Sequence, residues 1–117
     1  MHKLHDLKIW NKAIELATEI YKVTADFPTE EKYGLISQIR RATISISSNI
    51  AEGAGRNSPG EFLHFLGISN GSSYELQTQL IISEQLKLID NKTLNSLLEH
   101  IEEIQKMNYG LQQRFKK

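Results

Sequence analysis

The stretch Ser37–Gly55, SQIRRATISISSNIAEGAG, constrains the fold more than any other part of the chain. Read at about 3.6 residues per turn and begun one residue earlier, it carries a single apolar stripe. The stripe is Ile36, Ile39, Thr43, Ile46, Ile50 and Gly53, in alternating steps of three and four. That spacing predicts a helix with one face in a core. The opposite face reads Arg41, Ser45, Ser48, Asn49 and Glu52, mostly short and polar, with a cation near one end and an anion near the other. Two explanations stand side by side. One is an ordinary solvated face; the other is a second packing face, because a surface that meets only water has no need of short side chains.

The rest of the chain divides around its two prolines, Pro28 and Pro59. The first helical segment is expected over about 7–26, with Asp6 as its N-cap. Its stripe reads Leu7, Trp10, Ile14, Ala17 and Tyr21, widened by a second row of Ile9, Ala13, Leu16, Ile20 and Val23. Phe27-Pro28-Thr29 ends it, since proline pushes the residue before it out of the helical region. Thr29 is then placed to cap a second helix over about 30–55, with Glu30 and Glu31 at the positive end of its dipole.

Ser58-Pro59-Gly60-Glu61 is a start signal for a third helix over about 59–87: a capping serine, proline at the first helical position and a glutamate that closes a capping box. Phe62, Leu66, Ser69, Ser73, Leu76 and Leu80 are expected inward. Gly67 and Gly71 lie on another face, where each costs about 1 kcal/mol relative to alanine. That cost makes sense where another backbone comes close; otherwise the helix is merely weak there. Asp90 caps a fourth helix over about 91–115, whose seam is Leu94, Leu97, Ile101, Ile104, Asn108, Leu111 and Phe115. Four long helices, short turns and no competing strand pattern predict an all-α, antiparallel up-down-up-down four-helix bundle forming one domain over 1–117.

Composition narrows the function. Lys plus Arg and Asp plus Glu are 14 each, so no global field draws the chain to nucleic acid or an anionic membrane. The absence of cysteine removes disulfides, zinc-thiolate sites and cysteine nucleophiles. There is no apolar run of about 18 residues and no signal-peptide pattern, so a cytoplasmic protein that does not enter a membrane is expected.

Gly53-Ala54-Gly55-Arg56-Asn57-Ser58-Pro59-Gly60 superficially resembles a phosphate loop, but it follows a helix and lacks the Gly-Lys-Ser/Thr ending. It reads instead as a helix end, a turn and a capped start. Glu61-x-x-His64 is half of a di-iron pattern that needs two such motifs and two further glutamates. His2, His5, His64 and His100 are scattered, with no serine and acid to match. No catalytic, cofactor or metal site is therefore assigned. In an up-down bundle, Lys3, Lys8, Arg56, Arg114, Lys116 and Lys117 would gather at one end with Asp6, Glu52 and Glu61. Such a basic rim suits phosphates; equally, the last three cations suit the fourth helix's dipole.

Gln38-x-Arg40-Arg41-Ala42 followed by Ser45-Ile46-x-x-Asn49-Ile50-Ala51-Glu52-Gly53 resembles the four-helix-bundle family encoded within intervening sequences of bacterial 23S ribosomal RNA genes. Gly71-Ser72-x-x-Glu75-Leu76, the Leu7-Lys8-Ile9-Trp10 opening and Tyr33-Gly34-Leu35 extend the likeness along nearly the whole chain. The family is related to the accessory protein of diversity-generating retroelements, which resembles a basic ring that binds nucleic acid and a reverse transcriptase. The resemblance implies a ring-like homo-oligomer, pentameric, with Arg41, Ser45, Asn49, Glu52, Ser72 and Glu75 in a polar network at or beside the subunit contact. It implies no established activity, and this chain departs from the accessory protein in being neutral. The expectation is a non-enzymatic homo-oligomeric scaffold whose rim contacts RNA, DNA or a nucleoprotein. The alternatives are a protein-only interaction module, or a small nucleic-acid-acting enzyme using Glu52, Glu75 and Arg41 as a buried site.

Overall fold

A computed structural model describes residues 2–31 and 33–116. Its four helices are α1 (Lys8–Thr24), α2 (Leu35–Ala54), α3 (Pro59–Gln85) and α4 (Asn91–Phe115), with single 3-10 turns at Leu4–Asp6 and Thr29–Glu31. No strand occurs among the described residues. At 1.5 Å per residue the longest helix spans about 40 Å, which accounts for the 45 Å long axis of a body 23 by 20 Å in section.

Neighbouring helices run in opposite directions. Ser45 faces Ser72, Ile46 faces Ser69 and Gly53 faces Phe62, so α3 residue numbers fall as α2 numbers rise. Leu66 meets Asn108, while Gln77 meets Gln105. Lys12 meets Glu103 and Glu19 meets His100. The contacts follow the order α1, α2, α3, α4 and back to α1, with the α2–α3 contact the most extensive.

The stripe of α2 is buried along its whole length from Ile36 to Gly53. Thr43 belongs to it at a cost, since its hydroxyl is buried without a hydrogen-bond partner. Part of the shortness of the α2 side chains has a reason inside the chain. With a bare Cα at Gly53, Phe62 and Phe65 pack against the α2 backbone, and the Ser69 hydroxyl donates to the Ile46 carbonyl at 2.8 Å. All the inward residues expected of α3 are buried. In α4 the seam is buried through Asn108, and its last two members, Leu111 and Phe115, are partly covered. Asn108 donates to the Leu66 carbonyl at 2.9 Å and accepts from Gln112 at 2.6 Å, which satisfies its amide in the core.

Several local expectations fail. In α1 the core row is Ile9, Ala13, Leu16, Ala17 and Ile20, whereas Ile14 and Tyr21 are each 41% exposed. The core takes the row lying between α2 and α4 together with Ala17 of the expected stripe, while Leu7 and Trp10 pack against it only in part. Asp6 does not cap α1: it ends the first 3-10 turn, and Leu7 stands at the cap in extended conformation while packing against the core. Thr29 does not cap α2, because Phe27 turns into the core and the chain needs the residues up to Gly34 to bring α2 alongside. The Glu31 carboxylate instead accepts weakly from the Leu35 N–H at 3.4 Å.

The two remaining starts match expectation. Ser58 accepts from the Glu61 N–H at 3.2 Å, and Asp90 accepts from the Thr93 N–H at 2.7 Å. Helix α3 ends two residues early because Lys87 takes φ 63°, and the Leu88 N–H then reaches back to the Ser83 carbonyl at 2.8 Å.

Candidate interaction surfaces

The outward side of α2 and α3 holds the residues expected in a polar network, and the chain brings only half of them together. Ser45 and Ser72 share a hydrogen bond of 2.8 Å between their hydroxyls. Asn49 donates to the Ser45 carbonyl at 2.9 Å and to its hydroxyl at 3.0 Å. Ser45 and Asn49 sit one turn apart on α2 and Ser72 faces Ser45 from α3, so the antiparallel packing itself builds the cluster. Glu52 lies elsewhere. At the α2–α3 turn it pairs with Arg56 at 2.7 Å, and Arg56 also reaches Glu61 at 3.5 Å while resting over the Phe65 ring.

Arg41 and Glu75 are both exposed, and neither makes a hydrogen bond or ion pair with any described residue. Arg41 stands one turn before Ser45, and Glu75 one turn beyond Ser72. Because those serines touch across antiparallel helices, the two charges stand at the same height along the bundle. The buried catalytic grouping of Glu52, Glu75 and Arg41 is not formed: all three are exposed, and Glu52 is held by Arg56 at the turn.

The rim is assembled as the antiparallel order requires. The His2 N–H points to the Ala54 carbonyl at 3.4 Å, and the rings of His2, Phe62 and Phe115 pack together with centroids 4.9–5.8 Å apart. Lys3, Lys8, Arg114 and Lys116 are exposed around this cluster. Arg56 belongs to the same end, but two carboxylates hold it. Lys117 lies outside the described residues.

Two features escaped the reading of the sequence. Arg40 donates from Nε to the Thr24 hydroxyl at 2.9 Å and from Nη2 to the Tyr21 carbonyl at 3.2 Å, and its guanidinium lies over the Tyr21 ring. It closes the C-terminal end of α1, while its neighbour Arg41, about 100° further round the helix, faces out. The second is an acidic groove between α1 and α4, lined by Lys12, Glu15, Glu19, Glu99, His100 and Glu103. The i,i+4 spacing of its glutamates on both helices was a visible signal; their facing each other was not. His100 contacts Glu19 through Nδ1 at 3.0 Å, and its Nε2 is buried with no partner. Among the described residues no group of three or more His, Cys, Asp or Glu could hold a metal ion, and no helix is long and apolar enough to cross a membrane.

The fold and these surfaces define a small antiparallel four-helix bundle with a closed core and its distinctive chemistry on the outside. The chain matches the family described as 23S rRNA-intervening sequence protein over residues 5–110. It belongs to that family. A solved structure with the same fold is a protein of unknown function from the S23 ribosomal protein family of Bacteroides thetaiotaomicron VPI-5482. It superposes with a TM-score of 0.80 at 23% identity, covering 89% of this chain and 97% of that one. No curated protein matches the chain.

Proposed function

We propose that this protein is a non-enzymatic scaffold that assembles with copies of itself and presents its basic end to RNA, DNA or a nucleoprotein. The observation that carries the first half is α3. It buries Phe62, Leu66, Leu76 and Leu80 inward, yet Ile68, Tyr74, Ile81 and Ile82 are exposed on its other sides. A helix with exposed apolar side chains on its outer sides has surface for a second layer, and the bundle supplies only one. The nucleic-acid half rests on Lys3, Lys8, Arg114 and Lys116, exposed together at one end of a chain with no net charge. The ring expected from the resemblance would repeat that end in a circle, so that a weak local charge acts many times over.

Native mass spectrometry in low salt, before and after nuclease treatment, tests both halves. A single multiple of the 13.4 kDa chain, five-fold if the family resemblance extends to subunit number, supports assembly; a monomer at every concentration ends that half. Nuclease-sensitive extra mass supports the second half. Replacing Lys3, Lys8, Arg114 and Lys116 with glutamine is expected to abolish that mass and flatten the salt dependence of binding. Binding unchanged in that variant removes the rim assignment.

A further inference from the structure

Resting on the nucleic-acid half of the reading above, we infer that the basic end takes a single strand in preference to a duplex. One unstacked base of that strand is seated in the cleft between the start of α1 and the end of α4. The cleft holds about 500 Å3, within the range of about 300–1,000 Å3 usual for small-molecule sites. Leu7, Ile9, Met107 and Leu111 give it apolar walls, and Lys8 and Arg114 are its cations. Both cations are exposed, and neither makes a hydrogen bond or ion pair with any described residue. Cations for phosphates beside an apolar slot for the flat face of a base is the chemistry that an unstacked nucleotide needs. A base inside a duplex is stacked on both faces and cannot enter such a slot.

Gly110 keeps the cleft open. It lines the cleft from α4, and a Cβ there would meet nothing within 4 Å. No neighbour in the chain therefore explains a missing side chain that weakens the helix. The space it leaves is space that a ring can take. Asp6 lines the cleft as well. Its carboxylate turns a phosphate away from the interior and offers an acceptor to the N–H groups on a base edge.

The charge along this flank disfavours a duplex. Further down the same two helices the groove carries Glu15, Glu19, Glu99 and Glu103, and the lysine in its lining, Lys12, meets Glu103 at 3.5 Å. A rigid duplex laid along the flank would bring its phosphates onto those carboxylates. A flexible strand can cross the end of the bundle, from Lys8 and Arg114 to Lys3 and Lys116, and leave the acidic groove alone. These four cations have no partner among the described residues, and they outnumber what the single head group of a fatty acid requires. A chain of phosphates matches them better. The cleft lies between α1 and α4, on the side of the bundle opposite the Ser45–Ser72 contact of α2 with α3.

Fluorescence anisotropy with a short fluorescein-labelled RNA strand, and with the duplex of the same sequence, tests this on the wild type and on Gly110→Leu. The new side chain occupies the cleft, changes no charge and replaces a glycine within a helix, so the fold and the cations stay as they are. The wild type is expected to bind the strand more tightly than the duplex by at least about tenfold, the order of one stacked base. Gly110→Leu is expected to lose that advantage while keeping the wild-type affinity for the duplex and for inorganic polyphosphate, which has phosphates and no bases. A wild type that binds strand and duplex equally, or a Gly110→Leu protein that keeps the preference for the strand, overturns the inference and leaves the basic end as a surface for phosphates. Decanoate binding that Gly110→Leu abolishes, with no preference for strand over duplex, gives the cleft to a fatty acid and likewise overturns it. A wild type that binds neither strand, duplex nor polyphosphate overturns the nucleic-acid reading itself.

Discussion

Gly53 shows how one missing side chain sets the spacing of the bundle. A Cβ there would lie 2.8 Å from the Phe65 Cβ and 2.9 Å from the Phe62 Cδ1, with the Phe62 carbonyl at 3.3 Å. Alanine gains about 1 kcal/mol of helix propensity, but overpacking of this kind typically costs about 1–3 kcal/mol. Gly53→Ala is therefore expected to lower stability in urea unfolding, whereas Gly67→Ala, whose Cβ meets nothing within 4 Å, should raise it. At the same scale Arg40 and Arg41 look equivalent in the sequence and are opposite in use. One ties α1 to α2, the other stays free, and only the position of α1 beside α2 decides which.

At the scale of the element, the starts of α3 and α4 were legible because their signals are local. Ser58 and Asp90 cap through hydrogen bonds to N–H groups three residues on, and nothing elsewhere in the chain competes. The starts of α1 and α2 were not, because Leu7 and Phe27 have places in the core that outweigh a cap at Asp6 or Thr29. The Asp90 cap carries a pH signature. Hydrogen bonds from the Thr93 hydroxyl and then its backbone N–H hold the Asp90 carboxyl below the ordinary aspartate value. A lowered carboxylate contributes stability that is complete above its unfolded value and is lost as pH falls through the folded one. The stability difference between wild type and Asp90→Asn, followed by urea unfolding, is expected to shift against the wild type as acid enters that window. A difference that stays constant with pH would mean the cap is not titrating.

At the scale of the whole molecule, a bundle with a closed core still shows apolar side chains along α3. Assembly of folded chains stabilises them by mass action. The melting temperature of the wild type is accordingly expected to rise with protein concentration. A melting temperature that does not change with concentration would separate stability from assembly.

The sequence by itself determined the helices, the antiparallel order and the buried seams of α2, α3 and α4. Helical periodicity, proline placement and turn chemistry are properties of neighbouring residues, and four seams of that length have few ways to close. The tertiary structure decided what depends on the angle at which helices meet. It chose mainly the inner of two apolar rows on α1, drew Glu52 to Arg56 at the turn, and left Arg41 and Glu75 level with each other and without a partner among the described residues. Side chains on a helix flank are covered or free according to the neighbour beside them, and that neighbour comes from far along the chain.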